Sequence, residues 1–95
     1  MRLNILMNLE ISPDLDKELR RIKSKDKQLA QKIEKQLKLF QQNHQHPSLR
    51  THKLSGNLDN MWSISIDKNL RMLFFLDSSG AYFFELGTHD QVYKR

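Results

Sequence analysis

The stretch LRMLFFLDSSGAYFFEL, Leu70 to Leu86, decides the fold. Two runs rich in apolar and aromatic residues flank Asp77-Ser78-Ser79-Gly80, a cluster of residues that favour tight turns, and that order specifies a β-hairpin. In the second run Tyr82, Phe84 and Leu86 alternate with Ala81, Phe83 and Glu85, so the three are expected on one side. Upstream, Trp62, Ile64 and Ile66 alternate with Ser63 and Ser65, and Asp67-Lys68-Asn69 supplies a second turn. Three consecutive strands in an antiparallel meander follow from this spacing.

Further toward the N-terminus the apolar residues Leu3, Ile5, Met7, Leu9 and Ile11 recur at every second position, which predicts a first strand with one buried face. Ser12-Pro13 joins an N-cap residue to a proline suited to the first helical turn, and Asp14 and Asp16 sit where the helix dipole favours negative charge. Leu15, Leu19 and Ile22 form one helical stripe; Lys23-Ser24-Lys25-Asp26 interrupts it; Leu29, Ile33, Leu37 and Phe40 resume it. The expected architecture is α+β in one domain over residues 1–95: a strand, two antiparallel helices, then the meander, with the helices on one face of the sheet. Gln41 to Asn60 shows no sustained period and reads as a long connection. Trp62 is expected in the core beside Ile64 and Ile66.

The composition narrows the class of partner. Sixteen Lys and Arg oppose eleven Asp and Glu, for a net charge of +5. Nine basic and three acidic residues fall between Lys17 and Lys38, so the helices carry the excess. Such a field suits a polyanion or an acidic protein, although a lysine-rich helix face is also simply well solvated. There are no cysteines, which excludes disulfides and thiolate metal sites and fits a reducing compartment. Asn4, Asn8 and Glu10 break the N-terminal apolar run well short of a membrane span, so a soluble cytoplasmic protein without a membrane partner is expected.

If the two helices cover one sheet face, the other is partly open. Arg71, the one charge within the run LRMLFFL, is expected there, pointing at solvent or an anion, or else paired with Asp67 or Glu85 across the strands. His44 and His46 in NHQHP lack a nearby acid and read as turn residues, not metal ligands. No cofactor and no metal are expected.

The blocks LRTHKLSG (Leu49 to Gly56), WSISID (Trp62 to Asp67) with Leu70-Arg71, and GTHDQVY (Gly87 to Tyr93), in this order, resemble the RelE/ParE superfamily of toxins from type II toxin–antitoxin systems. The likeness is to the RelE-type side, and within it to the YafQ pattern. It implies a compact α+β endoribonuclease that cuts messenger RNA on the ribosome without metal, is held by a short, acidic cognate antitoxin, and meets operator DNA only as the toxin–antitoxin complex. A gyrase-binding toxin of the ParE kind, or an inactive member that binds only its antitoxin or DNA, shares the same fold. By the resemblance, His52, His89 and Arg71 are the catalytic candidates, with His52 as base, His89 as acid and Arg71 as the cation at phosphorus. Arg50, Lys53 and Tyr93 are the RNA-binding candidates, and Tyr93 could instead be a hydrophobic plug. Imidazole suits both proton roles because its ordinary pKa is near neutrality. Ser65 and Asn69 stand where YafQ has a histidine and an aspartate, so the mechanism is not identical.

Overall fold

A computed structural model of the chain describes residues 7–54 and 60–93, without the side chain of Tyr93. The elements run β1 (Leu9–Ile11), α1 (Pro13–Lys25), α2 (Lys27–Gln42), a 3-10 turn (Pro47–Leu49), β2 (His52–Lys53), β3 (Met61–Ser65), β4 (Leu70–Asp77), β5 (Gly80–Thr88) and α3 (His89–Tyr93). The predicted first strand is present from Leu9 to Ile11; Met7 and Asn8, also expected in it, precede the strand, and residues 1–6 lie outside the described residues.

Local chemistry sets the helix limits. Ser12 Oγ accepts the Leu15 N–H at 3.1 Å and Pro13 occupies the first turn, as the sequence predicts. The interruption between the helices narrows to a single residue, because Asp26 ends α1 through its N–H to the Ile22 carbonyl (2.7 Å) and starts α2 by accepting the Leu29 N–H on Oδ1 (3.1 Å). One aspartate thus both ends and begins a helix, and no longer turn is needed.

The five strands form one sheet in the order β1-β5-β4-β3-β2, with β1 parallel to β5 and the other pairs antiparallel. The meander is present as read from the sequence. Two elements were not: β2, two exposed residues paired to β3 within the predicted loop, and α3 at the end of the chain.

On one face of the sheet α1 and α2 bury Leu15, Ile33 and Phe40 against Ile64, Ile66, Met72, Phe74 and Phe83. Phe40 is the keystone of this contact, meeting Phe74 and Phe83 edge-on with centroids 5.0 and 5.2 Å apart. Trp62 is half-buried against the same core. The expected grouping of Tyr82, Phe84 and Leu86 is corrected by a β-bulge: Leu73 pairs with Glu85 but Phe74 pairs with Phe83, so Phe84 is the extra residue. Beyond it the alternation reverses. Phe83 and Leu86 join the helix-side core, whereas Tyr82 stays exposed and Phe84 stacks on Phe75 at 4.6 Å. The opposite face is only partly open, because Val92 of α3 closes a second small core with Leu54, Met61 and Leu73. Among the described residues no helix is long and apolar enough to cross a membrane.

The β4–β5 hairpin depends on two side-chain devices. Asp77 Oδ1 accepts the Ser79 hydroxyl at 2.6 Å and the Ser79 N–H at 2.8 Å, bonds that hold its carboxyl below the usual carboxylate range. Gly80 has φ +135°, and a Cβ there would stand 2.3 Å from the Asn8 carbonyl oxygen, which itself accepts the Ala81 N–H at 2.9 Å where β1 joins the sheet. Only glycine fits both demands. Gly80→Ala is therefore expected to cost about 1–3 kcal/mol, read as a lowered urea midpoint with an unchanged slope.

Candidate functional site

Strand register sorts the candidate residues by face. His52 lies opposite Ser63, and Ser65 opposite Arg71, which in turn faces Gly87, so His52 and Arg71 share the sheet face away from α1 and α2. Lys53, the next residue on β2, falls on the other face opposite Trp62, with its Nζ 6.0 Å from the indole centroid. The two neighbours were expected to work together; a strand separates them.

Arg71 is on the predicted face but does not point into solvent. It is 7% exposed, and its Nε donates to Ser63 Oγ at 2.8 Å while Nη2 donates to the carbonyls of Ser63 (3.2 Å) and Arg50 (2.5 Å). The reason is a loop that folds over it: Arg50 follows the 3-10 turn in the left-handed region (φ 44°, ψ 53°), which turns its carbonyl inward. The Arg50 side chain is left exposed at the rim.

His89 is mounted differently. Thr88 and Gln91 form a reciprocal capping box, Thr88 N–H to Gln91 Oε1 at 2.9 Å and Gln91 N–H to Thr88 Oγ1 at 3.2 Å, which starts α3 at once after β5. The His89 N–H donates to the Asn69 carbonyl at 3.2 Å, so the β3–β4 turn holds the helix start. Its ring is 68% exposed, with Nδ1 3.9 Å from Asp90 Oδ1. Asn69 therefore contributes through its backbone, and Ser65 bonds its own turn through Oγ to the Asp67 carbonyl (3.0 Å).

His52, Arg71, His89 and Arg50 line one groove of about 600 Å³. Its other wall comes from α2 and the β3–β4 turn, contributing Lys32, Lys35 and Lys68, none of which the sequence reading had singled out. Gln36, 8% exposed, ties the walls together through Nε2 to the Ser65 carbonyl (2.8 Å) and the Ser48 carbonyl (3.4 Å). Among the described residues Asp67 is the one acid in the lining, and its Oδ1 accepts the Asn69 and Leu70 N–H groups at 2.9 Å each. The arrangement puts two imidazoles and several cations around one cleft, a composition suited to an anionic strand and to proton transfer.

The remaining candidates lie elsewhere. Tyr93 ends α3, but its side chain is outside the described residues, as is Gly56 of the LRTHKLSG block. His46 caps the 3-10 turn by accepting the Ser48 N–H on Nδ1 at 3.1 Å, and His44 meets Phe40 edge-on. Both border a separate cavity of about 520 Å³ walled by Phe40, Trp62 and Phe74.

No family model matches the chain. It is 28% identical over 92 residues to RelE4, a candidate toxin of Methanocaldococcus jannaschii, a match that covers 95% of this chain and 94% of that protein. Among solved structures, the fold is similar to the Escherichia coli DinJ–YafQ complex (TM-score 0.72, 16% identity, 92% of this chain and 98% of that one). It is similar also to the Staphylococcus aureus YoeB–YefM complex (TM-score 0.71, 21% identity, 87% and 97%) and to the YoeB/ParE toxin of Agrobacterium tumefaciens (TM-score 0.72, 16% identity, 87% and 99%). The α+β layout of these proteins is the one built above from caps, turns and register. Along nearly its whole length the chain carries the RelE fold, and it groups by that fold with the RelE, YoeB and YafQ toxins, the likeness that its own motifs express.

Proposed function

We propose that the chain is the toxin of a toxin–antitoxin pair and acts as a ribosome-dependent, metal-independent endoribonuclease on messenger RNA. The observation that carries this reading is the convergence of His52, His89 and Arg71 on one basic groove. The RelE likeness supplies the ribosome and the antitoxin; the groove supplies the chemistry.

RNA can be cut through its own 2′-hydroxyl. A base removes the hydroxyl proton, the 2′-oxygen bonds to phosphorus, the bond from phosphorus to the 5′-oxygen breaks, and an acid protonates that oxygen, leaving a cyclic phosphate and a 5′-hydroxyl end. In this reading His52 takes the proton and His89 delivers one, both from rings open enough to meet a strand. Arg71 contributes its charge from within a poorly solvated site, where a fixed cation acts more strongly than in water. Contact with the flanking phosphates then falls to exposed Arg50, and Tyr93, at the end of α3, is proposed as a further RNA contact. Lys53, on the far face, would meet RNA or ribosome outside the cleft.

The antitoxin is proposed as a short acidic chain that covers the groove. The exposed aromatic pair Phe75 (40%) and Tyr82 (39%), opposite each other on β4 and β5, gives such a partner an apolar foothold on the same sheet face. Operator DNA would be met only by that complex, in the cytoplasm.

Induced expression tests the nuclease. New messenger-RNA 5′ ends and growth arrest are expected with the native chain, and with His89→Ala cleavage should slow by about 10²–10⁴-fold. Arrest that persists in the variant together with DNA-damage signalling would overturn the reading in favour of gyrase. A second test concerns Arg71, whose three acceptors a lysine cannot reach together. Arg71→Lys should lower unfolding stability by about 1–3 kcal/mol, measured by chemical denaturation, and reduce cleavage as the Arg50 loop loosens.

A further inference from the structure

The sequence places the basic residues of the helices on an outward, solvated surface, yet two of the α2 lysines wall the groove. We infer that Lys32 and Lys35 of α2, with Lys68 of the β3–β4 turn, form a second phosphate-binding row, so that a single RNA strand lies lengthwise between the helix and the sheet edge. This rests on the nuclease reading and adds to it the path of the substrate.

Helix geometry selects these lysines. Ile33, Gln36 and Phe40 are the buried residues of α2, and Lys32 and Lys35 flank that stripe on the side of Gln36, about 4.5 Å apart along the axis at 1.5 Å rise per residue. Lys38, which is not in the groove lining, pairs with Glu34 at 3.3 Å, and Lys35 stands between that pair and the groove. Glu34 is the only acid of α2 and is not in the groove lining, so α2 brings no carboxylate to the groove. Among the described residues no ion pair involves Lys32, Lys35 or Lys68. Asp67 makes no ion pair with the row, its Oδ1 accepting the backbone N–H groups of Asn69 and Leu70, and its single negative charge leaves the groove lining net positive.

The chemistry of the lining fixes the class of occupant. Cations stand on both walls, Arg50 and Arg71 on one and the lysines on the other, and among the described residues no Phe, Tyr or Trp ring lines the cleft. Such a groove tracks a sugar–phosphate backbone and does not read bases by stacking. An acidic peptide would also be attracted, but the two imidazoles at the sheet end are placed for a phosphodiester.

The test is the salt dependence of binding to a short single-stranded RNA carrying 2′-O-methyl groups, which 2′-hydroxyl attack cannot cut. Each phosphate neutralised on a single strand contributes about 0.7 to the slope of log K against log salt. The Lys32→Ala/Lys35→Ala double variant should shrink that slope by about 0.7–1.4, whereas Lys23→Ala/Lys25→Ala on α1, off the groove, should leave it near the native value. His89→Ala should keep the native slope while losing cleavage of messenger RNA in the presence of ribosomes. An unchanged slope in the groove variant, an equal loss in the α1 variant, or a native chain that binds an acidic peptide but not the RNA would overturn the proposal. If the native chain binds with the expected slopes but cuts no messenger RNA even when ribosomes are supplied, the phosphate row stands and the nuclease reading falls.

Discussion

The groove depends on one buried guanidinium. Taking a cation out of water is costly, and Arg71 is tolerated at 7% exposure because Ser63 gives it both a hydroxyl and a carbonyl while the loop gives it the carbonyl of Arg50. That last bond joins the sheet to a segment with almost no strand of its own. β2 is two residues long, and the chain reaches it through a left-handed residue that is disfavoured for anything but glycine or a short polar side chain. The Arg71 contact and the capped 3-10 turn hold the loop in that conformation, and the loop in turn presents His52. A residue chosen from the sequence as a reagent is thus also a structural clamp.

Much of this fold is written in alternation and in caps. The hairpin turns, the Ser12-Pro13 helix start and the two amphipathic helices all follow from local rules, because each buries one face against a sheet whose own period is plain. What escaped lacks such a period. β2 has two exposed residues and no apolar pattern; α3 has five residues, too few for a helical stripe to register. A signal for α3 was nevertheless present, since Thr88-His89-Asp90-Gln91 is a capping box followed by the apolar Val92. The bulge at Phe84 is different: nothing in AYFFEL marks which phenylalanine is the extra one, and the choice falls to packing, where Phe83 completes the contact with Phe40.

For the site, the histidines and arginines were legible through a family pattern and not through chemistry alone. The separation of His52 from Lys53 needed only the two-residue period of a strand, had that strand been recognised. Lys32 and Lys35 could not be found in this way. Which flank of an amphipathic helix borders a cleft is set by how the helix lies across the sheet, and here the Gln36 amide, bonded to carbonyls of both the 3-10 turn and β3, fixes that placement.

The position of His89 has a further physical consequence. A five-residue helix has no stability of its own. It exists here because Val92 is buried in the second core and the Asn69 carbonyl holds the first N–H, so a packing contact at one end and a hydrogen bond at the other set where the imidazole stands. The helices claim one sheet face and the second core claims the middle of the other, which leaves the rim as the place where a strand can meet exposed rings. In the proposed reaction, a cleft at that rim would let His52 and His89 exchange protons with water between turnovers while Arg71 stays desolvated and fixed. Open acids and bases around a buried charge suit phosphodiester chemistry better than a fully sheltered pocket, because the protons must come and go while the field at phosphorus must not.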